Sequence, residues 1–338
     1  MPASGLARAS RRTLLGLPLL ALGAATAAAQ AARFFRIGTG SVSGTYYPVG
    51  GLVAEIISSP PGSPSCDGGV CGVPGLVAVV QTSDGSVANI DGIEKGDLES
   101  GFAQSDVAFG AFSGTGVFRD RPPATRIRAI ASLYAESVQL VARADAGIGT
   151  VADLAGKRVS LDRAGSGTRV DAELILAAFG LSPSDLEAED DSPADAVDRM
   201  SAGELDAFFV VAGVPTAGVA ELADGTGIVL VPIAGPEAGT LVADHPFFAR
   251  DVIPAGTYAG VGPVDTLSVR AQWLVSADLE ADLVHAILAA FWNPAARTIL
   301  DAGHPKGRQI VLGSALDGIA IPLHPGAERF YREAGMMP

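Results

Sequence analysis

Side chains suited to covalent or proton-transfer chemistry are scarce in this 338-residue sequence. There are only four histidines, His245, His285, His304 and His324; they are scattered, and three precede a proline, the setting of a turn rather than of a metal or acid–base cluster. The phosphate loop G-x-x-x-x-G-K-[ST] is absent, and so is the G-x-S-x-G elbow that carries a hydrolase serine. The nearest approach to a dinucleotide fingerprint, Gly38-x-Gly40-x-x-Ser43, lacks its third glycine, and Glu55, the next acidic residue, falls within the following helix. No catalytic residue, cofactor or metal is therefore expected. Basic residues are also few, 23 against 37 acidic ones, which argues against nucleic acid or an anionic membrane surface as partner. The two cysteines, Cys66 and Cys71, flank a tight Gly-rich loop and, in an exported protein, read as a disulfide.

Acidic residues are missing from the first 29 positions as well. Arg8, Arg11 and Arg12 open the chain, an apolar stretch runs from Thr13 to about Ala25, and Ala27-Ala28-Ala29-Gln30 closes it with small residues. That order predicts a signal peptide cleaved after Ala29 and hence a periplasmic protein. Ser10-Arg11-Arg12-Thr13-Leu14-Leu15 approaches a twin-arginine signal without its usual phenylalanine, so Sec and Tat export both stand. Cleavage leaves 309 residues, with 20 basic against 37 acidic ones and a net charge of −17. No later run has the 18 or so uninterrupted apolar residues of a membrane helix.

What is present is a regular alternation of short apolar runs with amphipathic stretches, which predicts an α/β fold with mainly parallel strands. Phe34 to Ile37, Leu76 to Gln81 and Leu98 to Ala103 read as strands. Val49, Leu52, Val53, Ile56 and Ile57 form one helical stripe, and a second helix capped by Ser83 or Asp84 stops at Gly96. The second half repeats the plan. Gly96-Asp97-Leu98-Glu99-Ser100-Gly101-Phe102 aligns with Gly203-Glu204-Leu205-Asp206-Ala207-Phe208-Phe209, and Ser43-Gly44-Thr45 has a counterpart in Ser166-Gly167-Thr168. Two similarly wound lobes follow, with lobe 1 at residues 30–138 and 262–338 and lobe 2 at 139–261. Adjacent β-type runs at Ile127–Leu133 and Val138–Ala142 are suited to cross between them.

The two Ser-Gly-Thr turns carry the functional expectation. Each opens a helix, whose first amides are unpaired and whose dipole is positive there, so small hydroxyl-bearing residues let an anion reach the backbone. Facing lobes would bring both turns to one cleft at the carboxyl ends of the strands. The candidate contacts are Ser43, Gly44, Thr45 and Tyr46 in the first turn, then Ser86 and Asn89, Gln104 and Ser105, Ser166, Gly167 and Thr168 in the second turn, and Gly213. Asp106 reads as a helix N-cap, and Arg163 and Arg169 are cations able either to pair a carboxylate or to lie on the surface.

At Ile37-Gly38-Thr39-Gly40-Ser41-Val42-Ser43-Gly44-Thr45-Tyr46-Tyr47-Pro48, Gly85-Ser86-Val87-Ala88-Asn89-Ile90, Gly101-Phe102-Ala103-Gln104-Ser105-Asp106, Ser132-Leu133-Tyr134-Ala135-Glu136 and Ala207 to Pro215, the sequence resembles the TAXI family of TRAP-transporter solute receptors. The resemblance implies a type II periplasmic-binding-protein fold. It also implies a small carboxylate ligand, a glutamate-like amino acid or a dicarboxylate such as 2-oxoglutarate, delivered to a TRAP permease. By position it assigns ligand contact to Ser43, Thr45, Tyr46, Ser86, Gln104, Ser105, Ser166, Gly167 and Thr168. An ABC importer or sensor receptor is the alternative, and an exported enzyme on the same scaffold a third reading.

Overall fold

Strand-forming runs and amphipathic helices alternate along the chain as their hydrophobic periods dictate. The structure, a computed structural model, describes residues 31–64, 69 and 71–338. The expected signal peptide, and Cys66 of the expected disulfide, lie outside the described residues. The chain begins with β1 (Arg33–Gly38) and α1 (Tyr46–Ile57), followed by a two-residue pairing of β2 (Ser58–Ser59) with β3 (Val73–Pro74). Next come β4 (Leu76–Gln81), α2 (Ser86–Lys95), β5 (Ser100–Gln104) and α3 (Ser105–Ser113). The long β6 (Ile127–Arg143) leads to β7 (Arg158–Ser160), α4 (Gly167–Ala178), β8 (Glu187–Glu189), α5 (Pro193–Ser201), β9 (Ala207–Ala212) and α6 (Ala217–Asp224). Then follow β10 (Ile228–Val231), α7 (Gly235–Asp244), β11 (Ala249–Ile253), the long β12 (Val264–Ser276), and helices α8 (Ala281–Phe291), α9 (Ala296–Gly303) and α10 (Pro325–Glu333).

One sheet runs in the order β4-β1-β5-β12-β6-β9-β7-β8, with β10 on β6 and β11 on β12. Its two ends have the same plan. β1 lies between β4 and β5 and is parallel to both; β7 lies between β8 and β9 and is parallel to both. β5 then meets β12 antiparallel, as β9 meets β6. The repeat read from the glycine-led heptads is therefore a repeat of β-α-β-α-β-α units: α2 stops at Gly96, in the left-handed conformation (φ 80°) that glycine adopts without strain, and feeds β5, as α5 feeds β9.

The two long strands join the lobes. β6 pairs with β12 up to Ser137 and with β9 from Ser137 onward, so Ser137 faces both Ser268 and Ala212. The two β-type runs expected at Ile127–Leu133 and Val138–Ala142 are thus one continuous strand. Glu136 and Ser137, which break the apolar pattern, are buried within it.

Each lobe is a three-layer sandwich with a core on each sheet face. In the first lobe α1, α8, α9 and α10 cover one face around Phe35, Trp273 and Phe291, while α2 and α3 cover the other. In the second, successive β9 residues alternate: Ala207, Phe209 and Val211 pack under α4 and α7, and Phe208, Val210 and Ala212 pack under α5 and α6. This is the period-two geometry of a strand buried on both faces, and it explains the unbroken apolar run.

Candidate functional site

The repeat places equivalent helix starts on opposite sides of one cleft. α1 and α2 begin on the first lobe at Tyr46 and Ser86; α4 and α5 begin on the second at Gly167 and Pro193. All four of these residues line a single cavity, together with the carboxyl ends of β5 (Gln104) and β9 (Val210 to Ala212). Four helix N-termini thus bring partial positive charge, and the amides that their caps leave free, to one cavity. The lobes are closed over it. The space left inside is small, about 70 Å³.

Bonds across the cleft hold this closure. Thr45 Oγ1 donates to Gly213 O at 2.8 Å, the Ala88 amide donates to Gly165 O at 3.0 Å, and Arg163 reaches Asp84 at 3.4 Å while also pairing with Asp195 at 2.9 Å. Gly167 makes the closest approach. A Cβ there would lie 1.7 Å from Gln104 Oε1 and 2.7 Å from Ser86 Oγ, so only glycine admits the observed fit.

The hydroxyls are oriented by the backbone. Ser86 Oγ accepts from the Gln104 amide at 3.1 Å, Ser166 Oγ from Arg169 at 3.0 Å as the N-cap of α4, and Thr168 Oγ1 from Val211 at 3.1 Å. A hydroxyl used this way keeps its own proton to donate. Acidic groups share the wall. Burial pushes Glu136 up to about 8, against the Tyr46 hydroxyl donating at 2.8 Å and the Lys306 charge, both of which pull it down. Burial likewise pushes Asp162 up to about 7, although the Arg163 amide and the hydroxyls of Ser166 and Thr168 favour its ionised form. Lys306, itself buried in the turn Pro305–Gln309, is lowered by burial, while Asp251 and Glu136 work to keep it charged. Gln104 lines the cavity, and its Oε1 is buried against Gly167 with no donor.

Of the residues expected to bind, Gly44, Thr45, Tyr46, Ser86, Gln104, Ser166, Gly167 and Thr168 come together on the cavity wall. Ser43, Asn89, Ser105 and Gly213 do not. Ser43 pairs with Ser41 (2.9 Å) beside the cavity. Asn89 is buried, its amide donating to Thr39 O and Phe102 O and accepting from Ser83, so it braces the strand ends. Ser105 accepts from the Arg270 amide at 3.3 Å, and Gly213 offers its carbonyl to Thr45. Asp106 is not an N-cap: β5 runs to Gln104, α3 starts at Ser105, and Asp106 lies inside its first turn. The cap of α2 is Gly85, one residue beyond the Ser83 and Asp84 expected. Arg163 lines the cavity, whereas Arg169 pairs with Glu173 and Asp190.

Sequence reasoning missed Glu136, Asp162 and Ser192. Glu136 was detectable as the one acid inside a strongly apolar strand, and Ser192-Pro193 as a helix start matching that of Ser86 in the repeat.

Two α/β lobes hinged on long strands and closed over a polar cavity define the periplasmic-binding-protein fold. Solved structures agree: a periplasmic transporter is 14% identical over 89% of this chain and 92% of its own, with a TM-score of 0.51. A Bordetella bronchiseptica RB50 protein is 15% identical over 90% and 82%, also with a TM-score of 0.51. The alkanesulfonate-binding protein SsuA from Xanthomonas axonopodis pv. citri, bound to MOPS, is 18% identical over 91% and 85%, with a TM-score of 0.47. By sequence, residues 37–335 match the NMT1-like family, and the chain belongs to that family.

Proposed function

We propose that this protein is an exported, periplasmic solute receptor that closes on one small ligand, hands it to a membrane importer and performs no chemistry on it. The observation that carries this reading is the convergence of four helix N-termini, two from each lobe, on a cavity sealed by bonds between the lobes. The ligand is read as a small carboxylate, its anionic group facing the amides of α1, α2 and α4. Glu136 and Asp162 on the wall favour a ligand that also carries N–H donors, which selects an amino acid of the glutamate type over a plain dicarboxylate. In this reading residues 139–261 form the lobe that swings, together with Leu267 and Val269 of β12, which pack in its core.

Two importers fit such a receptor: an ABC importer, and the TRAP permease implied by the sequence resemblance. Gene neighbourhood separates them, an ATPase supporting the first and a TRAP permease the second. For the ligand, calorimetry and melting with glutamate, 2-oxoglutarate, a C4 dicarboxylate and an alkanesulfonate are expected to show the largest shift with glutamate. If all four leave the melting temperature unchanged, the ligand class is wrong.

A further inference from the structure

A second and larger cavity lies between the lobes, about 520 Å³, lined by residues that do not touch the first. Its walls come from both lobes: Val107 and Phe109 of α3 on one side, Val170 and Leu174 of α4 with Phe247 and Phe248 on the other. The rings of Phe109 and Phe247 stand 5.0 Å apart, so the cavity is complete only while the lobes are closed. No lysine or arginine lines it; its polar side chains are Asp106, Thr115, Asp244 and His245.

Asp106 gives the cavity its chemical preference. Its Oδ1 is sealed from solvent without a hydrogen-bond donor, and so are both carboxylate oxygens of Asp171, which reaches it from α4. Asp171 is fully buried and Asp106 partly so; two carboxyl groups in contact share a proton unless a cation stands beside them. Burial raises both groups; Asp171 is raised further by Asp106 and Glu136, while His245 works to lower Asp106. The rest of the Asp106 carboxyl is only partly buried and lines the cavity, so an ammonium group there would favour its ionised form, and the aromatic walls suit an apolar body next to a positive charge.

We propose that this cavity is a second binding site, separate from the solute cleft, which takes a small organic cation: an aromatic or short alkyl body with a primary ammonium group that meets Asp106. Because the occupant touches both lobes, its binding favours the closed form.

Three probes of matched shape test this on the full mature chain: benzylamine, benzyl alcohol and phenylacetate, by calorimetry and melting. Benzylamine is expected to bind at least about tenfold more tightly than the other two, as a charge-assisted hydrogen bond requires. Asp106→Asn is expected to remove that preference. Leu174→Trp, which fills the space, is expected to abolish binding while the folded protein keeps its cleft solute. The site is refuted if the three probes bind alike or not at all, if Asp106→Asn leaves the preference intact, or if a saturating cleft solute competes with benzylamine. Should Leu174→Trp fail to fold, the probe series and Asp106→Asn decide the matter. None of these outcomes depends on the cleft ligand being a carboxylate.

Discussion

Replacing Gly167 by alanine should prop the lobes open. The methyl group would sit 1.7 Å from Gln104 Oε1, 2.5 Å from Gln104 Cδ and 2.7 Å from Ser86 Oγ, all on the facing lobe. The Gln104 side chain is buried and has little room to swing aside, so relief comes from displacing it or from separating the lobes. Overpacking of this kind costs about 1–3 kcal/mol, which weakens the closed state roughly 5- to 150-fold. The backbone of Gly167 is helical, so alanine brings no conformational strain to confuse the result. Small-angle scattering should show a more open particle, and calorimetry a weaker cleft solute. Removing the obstructing side chain, in Gln104→Ala/Gly167→Ala, should restore part of the closure, and the double-mutant cycle measures that coupling directly. Unchanged affinity and unchanged scattering in Gly167→Ala would refute the tight approach argued here.

Three further outcomes are expected. Thr45→Val removes the buried bond to Gly213 O and should weaken solute binding about fivefold, near 1 kcal/mol, with little change in folding stability. Tyr46→Phe deprives buried Glu136 of its hydroxyl donor and should lower unfolding stability by about 1–3 kcal/mol, read from urea midpoints. Glu136 also makes stability depend on pH. Its usual value is 4.5 and burial lifts it to about 8 in the fold, so the native state holds the proton more tightly; its stabilising contribution is complete below pH 4.5 and is lost as pH rises through 8. Urea midpoints at pH 5 and pH 9 should therefore diverge less for Glu136→Gln than for the parent; equal divergence would contradict the assignment.

Much of this architecture was legible because it rests on period and punctuation. Leu76–Gln81 is a strand with the limits its apolar run suggests, and the Gly96 stop is a real left-handed cap. The pairing of Ser43-Gly44-Thr45 with Ser166-Gly167-Thr168 did find two helix starts that share a cavity. What escaped depends on direction rather than spacing. Asn89 follows Ser86 by one helical turn, yet one faces the ligand space and the other the strand ends, because α2 buries Asn89 against Thr39 and Phe102. Glu136 lies 90 positions from the tyrosine that satisfies it, a distance that the folding of the first lobe removes. The Asp106 error has the same origin: the local sequence suits a cap, but the partner that sets its role, Asp171, is on the other lobe.

The threading of the sheet has a consequence for how the chain matures. β5 lies between β1 and β12, and β12 is followed by α8, α9 and α10, which roof the core around Phe35. The first lobe therefore cannot assemble until almost the last residues have emerged. The second lobe draws β7 to β10 from one unbroken stretch and completes sooner. A chain released N-terminus first would leave the outer edge of β5 unpaired until Val264–Ser276 had emerged, and an unpaired edge invites aggregation in that interval.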